Sequence, residues 1–365
     1  LAHWKLLSSV IIGVILASTV MSGTVIYFDA LRELALRKTI DSYSITELDV
    51  LIKAERGPTN RGEYQFVQSL TENEIDLNIS WMARDRTRGG KTATFFLTKP
   101  GEEKKAGTDN ARSYFTFLPR LDEYTSLLPG SRLPVEERLS RPGDPLILEA
   151  LVPLEATQLF GVGIGDQLTV VPHWDDFTSH ANVTITGIFT RQNLDSEFWY
   201  LEKAVLQSAT GASFRTIPFF VSENVFMDVL GPSFSKMDST YGWLVSVIPS
   251  RITSRNSNRV QTDLDRINLT LSSVISGFRQ QTSIDNALIE YDRRLFFSKL
   301  PMFVVLILIA VVVLYYVTTL SSLAVDQRRG EVALMRSRGG SSPQILAVFV
   351  LEGAAISILA IIIGP

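Results

Sequence analysis

Four side chains near the middle of the sequence have the chemistry of metal ligands. They are, in chain order, His173, Asp175, Asp176 and His180. A neutral imidazole and a carboxylate can together hold zinc, but ligand type alone is weak evidence for a site. The spacing does not match two ligands on one helix face, and aspartates beside a tryptophan between predicted strands are more typical of a solvated turn. We therefore predict a turn and no metal site.

A second segment resembles the end of a phosphate-binding loop. Residues Asp85–Thr92 read Asp-Arg-Thr-Arg-Gly-Gly-Lys-Thr. The first glycine of the consensus is replaced by Asp85, whose carboxylate would repel a phosphate group. The segment is therefore predicted to be a basic turn. No cofactor is expected on this chain, and any nucleotide-hydrolysing part must be another chain or a part lost from this one.

The composition excludes several kinds of chemistry. The chain has no cysteine, which rules out disulfides, thiolate metal sites and cysteine nucleophiles. The net charge of −3 gives no electrostatic reason to expect nucleic acid as a partner. No Gly-x-Ser-x-Gly nucleophile motif is present, so we name no catalytic residue and do not expect an enzyme.

The most informative segment is basic and lies near the C-terminal end, between two apolar runs. Four arginines in Asp326–Pro343 place it in the cytoplasm by the positive-inside rule. It is predicted to form a short helix that a double glycine ends. A turn that only sets topology would not need an acidic residue, apolar side chains and that glycine pair, so the pattern favours an element that docks on a partner. The residues concerned are Arg328, Arg329, Glu331, Val332, Leu334, Met335, Arg336, Arg338, Gly339 and Gly340.

Three apolar runs are each long enough to cross a bilayer as a helix, and they must position the basic segment. They are Leu6–Phe28, Pro301–Val325 and Ile345–Gly364. The alternative for the first is a cleaved signal peptide, whose apolar core would be shorter. The third contains Glu352, for which we favour a hydrogen bond between helices over ion transport.

Counting the crossings from the cytoplasmic segment gives the domain organisation. It comprises a first transmembrane helix with a short cytoplasmic N-terminus (1–28), an extracytoplasmic domain (29–300), a second span (301–325), a cytoplasmic coupling loop or helix (326–343) and a third span (344–365). The chain stops at the end of the third span, so we interpret it as a piece of a longer protein.

The outer domain is predicted to be α+β, with two subdomains. Helical spacing in Asp29–Ser42 and Asn258–Leu300 predicts a pair of stalk helices. Alternating or aliphatic patterns predict strands at Asp76–Trp81, Thr92–Thr98, Leu146–Val152, Gln167–Pro172 and Asn182–Thr190. The segments Pro100–Arg112 and Arg132–Pro145 are predicted to be exposed loops. The predicted fold class is thus a membrane α-helical bundle with three spans present, and a fourth apparently missing, plus this domain.

Two regions resemble the FtsX/MacB-like family of ABC transporter permeases. Residues 327–364 are similar to the family pattern that leads from an arginine-rich start through a small residue and glycine into a span with an internal glutamate. Residues 149–189, with Gly163-Ile-Gly-Asp and Val183-Thr-Ile-Thr-Gly-Ile-Phe, are similar to its outer core domain. Two departures are Arg338-Gly339-Gly340, where the family commonly has Leu-Gly-Ala, and the absent fourth span.

The resemblance implies a permease subunit in the cell membrane, with its large domain outside. A second permease unit and a cytoplasmic ATPase that holds ATP-Mg would be its partners, beside membrane lipids and a periplasmic protein or lipoprotein. The segment 328–340 would contact the ATPase, with Val332 and Leu334 filling a groove. Export or extraction of lipid, lipoprotein or peptide is the implied role. The alternatives are activation of a cell-wall hydrolase without transport, and a membrane-anchored enzyme or receptor without an ATPase.

Overall fold

The structure, a computed structural model, describes most of the chain outside the N-terminal run. The described residues are 19, 22–23, 26–108, 110–136, 146–175, 179–208, 214–234, 236–327, 329–339 and 341–363. They divide into two compact units. One unit combines the two ends of the chain, up to Ser42 and from Ala287, and the other is Tyr43–Asn286. Most of the predicted span Leu6–Phe28 lies outside the described residues.

The first unit is helical. Helix α1 covers residues 26–40, and helix α8 covers Ile284–Gln327. The Nζ atom of Lys299 lies 5.6 Å from the ring centroid of Phe28, which places the start of α1 beside this part of α8. Leu36 of α1 and Tyr291 of α8 are buried. Both helices therefore bury apolar side chains, and their role as stalks that lead from and to the membrane stays a prediction.

The remaining helices of this unit follow α8 directly. They are α9 (Arg329–Ser337) and α10 (Ser342–Ile363). Among the described helices, one segment, Ile284–Tyr316 of α8, is long and apolar enough to cross a membrane by its length and composition. Apolar side chains such as Phe303, Leu308 and Leu314 are exposed around it, which is the pattern of a helix surrounded by lipid. The predicted spans Pro301–Val325 and Ile345–Gly364 fall within α8 and, up to Ile363, within α10.

The second unit is α+β, as predicted, and contains two groups of strands. The first group is a four-stranded antiparallel sheet of β11 (Phe278–Gln281), β1 (Val50–Gly57), β10 (Ser239–Val247) and β2 (Ala83–Thr92), in that order. Helices α3 (Arg61–Asn78) and α7 (Ser257–Val274) pack on each other beside it. The buried positions Val260, Leu264, Ile267 and Leu271 of α7 recur every three or four residues, which confirms this predicted helix.

The second group of strands closes into a ring. Around the ring the order is β4 (Ala111–Phe117), β3 (Phe95–Thr98), β7 (Gln167–Pro172), β8 (Ala181–Arg191), β6 (Leu146–Pro153) and β9 (Arg215–Phe220). The parallel pairing of β4 with β9, from Ala111 opposite Arg215 to Thr116 opposite Phe220, returns the ring to its start. Strand β5 (Thr125–Leu127) pairs with β8, and β2 joins β4 through two residue pairs.

Short helices fill the space between the two groups. Helix α5 (Phe198–Leu201) continues into a wide π-helical turn, Glu202–Leu206. Its apolar side chains form one buried cluster with residues of both strand groups: Leu51, Leu118, Leu151, Phe189, Phe198, Trp199, Leu201, Val205, Leu206, Phe220 and Leu244. Three further helices are short: α2 (Ile45–Leu48), α4 (Leu154–Phe160) and α6 (Gly231–Ser233). The shared core makes the sheet and the ring one folding unit.

Several predictions of elements are confirmed and three are wrong. Strands β6, β7 and β8 lie where their patterns predicted them. The segment Asp76–Trp81 is the end of α3 followed by a short 3-10 turn, because Ile79, four residues after Ile75, continues the buried helical face whereas Leu77 is exposed. The segment Asp85–Thr92 is most of strand β2 and not a turn. Helix α7 belongs to the second unit and not to the stalk.

Candidate functional site

The predicted docking segment is a short helix with a defined turn at its end. Helix α9 runs Arg329–Ser337, and Gly339 follows in the left-handed region with φ of 86°. The N–H of Gly339 donates to the carbonyl of Arg336 at 3.0 Å, which closes the last turn. A left-handed residue after a helix is the conformation that glycine adopts without strain. The predicted helix and its glycine stop are therefore confirmed.

The following helix, α10, begins with a side-chain cap. The main-chain N–H of Ser341 donates to Oε1 of Gln344 at 3.0 Å, and the N–H of Ile345 donates to the carbonyl of Ser341 at 3.1 Å. A glutamine that reaches back to the residue before the helix satisfies a donor that the helix cannot. Nη2 of Arg336 lies 3.4 Å from Oγ of Ser342, across the turn. The turn between α9 and α10 thus has hydrogen bonds on both sides.

The surface of α9 is basic and partly apolar. Leu334 is 61% exposed and Met335 is 38% exposed. Met335 and Arg338 line a cavity of about 250 Å³ with Gln344, Ile345 and Val348 at the start of α10. Arg329 pairs with Asp326 at 2.7 Å, a bond between exposed groups that contributes at most about 1 kcal/mol. The exposed apolar side chains are suited to an apolar partner surface, and the exposed cationic side chains are suited to an acidic one.

The helical form of α9 corrects one detail of the docking prediction. Val332 and Leu334 are two positions apart, and such residues point to different faces of a helix. Val332 is half-buried whereas Leu334 is exposed. The two side chains therefore cannot fill one groove of a partner. Positions 331, 334 and 338 share a face by their spacing of three and four, which makes Leu334 the apolar centre of the exposed face.

Some predicted site residues have no described side chain. Arg328 and Gly340 lie outside the described residues. The structure places Glu331 within α9 and Glu352 within α10, without describing their side chains. The docking role of the whole segment and the role of Glu352 thus remain predictions.

The structure also places the two segments that were weighed as chemical sites. Nδ1 of His173 lies 2.8 Å from the carbonyl oxygen of Thr94, and Oγ of Ser179 donates to Oδ2 of Asp175 at 2.6 Å. Asp176 lies outside the described residues, and within the described part no three potential ligands come together. In Asp85–Thr92 the two glycines lie in mid-strand, where they allow close packing.

Sequence reasoning missed a crevice in the second unit that combines charged and apolar side chains. Its volume is about 350 Å³. Its charged residues are Glu155 of α4, Arg191 of β8, and Glu202 and Lys203 of the π-helical turn. They come from three elements that are separate in the sequence. No local spacing joins them, so only the fold could have pointed to this site.

The chain thus has a basic helix, α9, between the apolar helices α8 and α10, and a separate α+β unit. Residues 303–364 match the family model described as FtsX-like permease C-terminal. Over this part of the chain, the resemblance to FtsX-like permeases that was stated from the sequence is confirmed.

Two solved structures are similar to parts of the chain. One is the periplasmic region of MacB from Actinobacillus actinomycetemcomitans, with 11% identity and a TM-score of 0.30, covering 66% of this chain and 92% of that one. The other is a domain of a protein described as a permease from Porphyromonas gingivalis, with 11% identity and a TM-score of 0.29, covering 65% and 87%. No curated protein sequence matches the chain.

Proposed function

We propose that this chain is the permease subunit of an ABC transporter complex in the cell membrane, with Asp29–Leu300 outside. The observation that carries the proposal is α9, an exposed basic helix inside the region that matches FtsX-like permeases. The positive-inside rule puts its arginines in the cytoplasm, where an ATPase would meet them. The partner ATPase would bind ATP-Mg and supply the energy for the movement.

The C-terminal end of α9 suits a mechanical role. A helix transmits a displacement only if its ends are fixed to the elements that must move. The end of α9 is closed by the turn at Gly339, and the cap at Ser341 starts α10 directly afterwards. A push on Leu334 would therefore reach α10 through a turn held by hydrogen bonds on both sides. Rotation or tilting of the spans would in turn reshape the outer unit.

The partners and the cargo follow from the family resemblance. A second permease unit, as a separate chain or as the second half of a longer one, would complete the complex. Export or extraction of lipid, lipoprotein or peptide is the proposed work of the moving outer unit. Activation of a cell-wall hydrolase is the alternative outcome, and it uses the same coupling to the ATPase.

A matched pair of charge substitutions tests the coupling. Leu334→Asp places a carboxylate at the exposed apolar centre of α9, whereas Ala333→Asp places the same charge one position away, on another face. We expect Leu334→Asp to lower copurification of the ATPase encoded nearby by about tenfold, since burying an unpaired charge is costly. Ala333→Asp should stay within about twofold of the parent. If the two variants copurified the ATPase equally well, the proposal that the Leu334 face of α9 binds the ATPase would be wrong.

A further inference from the structure

The crevice in the second unit is formed by a floor of strand residues and two helical walls. Tyr114 of β4 and Thr216 and Pro218 of β9 are the floor. The neighbouring residue Phe115 packs on Phe95 and Phe219 instead, because successive strand residues face opposite sides. Leu159 of α4 and Trp199 of α5 line the walls. The volume of about 350 Å³ lies within the range of small-molecule sites, which begins at about 300 Å³.

Arg191 is fixed at one side of this crevice by a buried partner. Its Nε and Nη2 atoms donate to the two carboxylate oxygens of Glu202 at 3.0 and 2.6 Å. The Glu202 side chain is only 7% exposed and the Arg191 side chain is 17% exposed. The guanidinium also lies 5.4 Å from the ring centroid of Trp199. Two parallel hydrogen bonds hold the guanidinium in one orientation, so it is preorganised for a further anion.

The third contact of Arg191 is of a different kind. Its Nη1 atom donates to Oε2 of Glu155 at 3.0 Å, and the Glu155 side chain is 66% exposed. Because the Glu155 side chain is mostly exposed, water solvates its carboxylate well when it turns away from the mostly buried Arg191. A carboxylate from outside could therefore replace Glu155 at low cost. Glu155 accepts from Nη1, which is the one donor nitrogen of the Arg191 guanidinium that Glu202 leaves for a ligand.

The charge balance favours an anion once Glu155 is displaced. The lining has two cationic side chains, Arg191 and Lys203. Their charge balances that of its two anionic side chains, Glu155 and Glu202. With Glu155 turned to solvent, two cations face one anion. Lys91 lies close by, with Nζ 3.2 Å from the carbonyl oxygen of Gln207. The rest of the lining is mainly apolar, including Ala156 and Leu194 beside the walls already named.

We infer that this crevice binds a small amphipathic anion, whose carboxylate or similar group takes the place of Glu155 on Arg191. The apolar part of the ligand lies against the exposed side chains of Leu159 and Leu194, over Pro218. The π-helical turn that carries Glu202 and Lys203 fits this role, since such turns are frequent at functional sites. The inference does not depend on the ATPase, and its failure would leave the proposed permease role untouched.

The absence of cysteine from the sequence allows a direct test. Leu159→Cys places a single thiol on the wall of the crevice, and Leu269→Cys places one on the exposed surface of α7 as a control. The full chain in lipid nanodiscs is labelled with a neutral maleimide, with octanoate, octanol or octylammonium present. We expect octanoate to slow labelling at position 159 about fivefold or more, and to leave position 269 unchanged. Equal protection by octanol or octylammonium, or at both positions, would overturn the inference.

Two further variants distinguish binding from a merely structural role. In the Leu159→Cys background, Glu155→Gln removes the competing carboxylate, so half-protection should need about two- to fivefold less octanoate. Lys203→Gln should raise that concentration by a similar factor. If Glu155 only stabilised the fold, its replacement by glutamine would give no reason for tighter binding of octanoate. Unchanged or weaker protection in Glu155→Gln would contradict displacement of Glu155 by the ligand.

Discussion

Asp49 accepts a hydrogen bond from the main-chain N–H of Val247 at 2.9 Å, and this contact joins the start of β1 to the end of β10. Asp49 is only 2% exposed. Its other oxygen, Oδ2, is buried without a hydrogen-bond partner among the described residues. Burial raises the pKa of Asp49 from 3.8 to about 7, although the Val247 N–H lowers it in part. The nearby charges are Glu197, which raises this pKa, and Arg84, which lowers it.

This raised pKa predicts a pH-dependent contribution to stability. Between about pH 4 and pH 7 the folded form binds more protons at Asp49 than the unfolded form does, so the free energy of unfolding falls as the pH rises. The contribution of Asp49 is complete below its unfolded pKa and is lost as the pH rises through about 7. Three pKa units correspond to about 4 kcal/mol at most. Asp49→Asn should therefore stabilise the second unit at pH 8, by roughly 1–3 kcal/mol.

The measurement is urea unfolding of the full chain, followed by tryptophan fluorescence. Four of the five tryptophans lie in the second unit: Trp81, Trp174, Trp199 and Trp243. The difference between Asp49→Asn and the parent should be large at pH 8 and small at pH 5. A difference that does not change with pH would show that Asp49 is not the titrating group.

The strands that the sequence predicts well are those with local patterns. Strand β8 alternates, and β6 is a short aliphatic run, so neighbouring residues suffice to recognise both. Strand β2 has no such pattern, because Arg84, Arg86 and Arg88 form ion pairs and two glycines follow them within the strand. The closure of the ring by β4 and β9 joins residues about a hundred positions apart. Nothing in either strand alone specifies that pairing.

The mid-strand glycines give a second prediction. A Cβ on Gly90 would lie 2.5 Å from the Phe117 ring and 2.6 Å from the Tyr241 ring. A Cβ on Gly89 would lie 2.8 Å from the carbonyl oxygen of Phe117. Gly89→Ala should therefore destabilise the second unit by roughly 1–3 kcal/mol, the usual range for overpacking. The same urea unfolding measures it.

The control for this prediction is a glycine with space around it. Gly62 lies in α3, where an added Cβ meets its nearest atom at 3.6 Å. Alanine is the better helix former, so Gly62→Ala should stabilise by about 0.5–1 kcal/mol. If both alanine variants changed stability in the same direction, close packing would not be the reason for Gly89.

The ion pair between Arg88 and Glu223 gives a third prediction. Nη1 of Arg88 lies 2.6 Å from Oε1 of Glu223 and 3.0 Å from the hydroxyl of Tyr64. These bonds connect β2, α3 and the segment that follows β9, and both charged groups are about three-quarters buried. Glu223→Gln should destabilise the second unit by about 1–2 kcal/mol. Glu102→Gln, which removes the exposed partner of Lys105, should cost less than about 0.5 kcal/mol.

The docking helix was predictable from sequence and the crevice was not, for a physical reason. A helix that ends at a glycine is specified by residues within one or two turns, and so α9 could be read from Arg329–Gly339. The face that α9 presents still needed the helix geometry, which separates Val332 from Leu334. The crevice depends on Glu155, Arg191 and Glu202, which only the packing of α4, β8 and the π-helical turn brings together.

The turn after α9 gives the last prediction, which concerns coupling. Gly339 has φ of 86°, and an L-residue in that conformation costs about 1–2 kcal/mol. Gly339→Ala should therefore loosen the turn between α9 and α10 without altering the exposed face around Leu334. The variant should still copurify with the ATPase, but stimulation of ATP hydrolysis by the permease should fall about three- to fivefold.

Gly330→Ala is the matched control, since Gly330 lies near the start of α9 and no atom lies within 4 Å of its added Cβ. Alanine favours the helix there, so stimulation should be unchanged or slightly higher. Loss of copurification in Gly339→Ala would mean that the turn belongs to the docking surface, and equal stimulation in both variants would refute the rigid-turn mechanism.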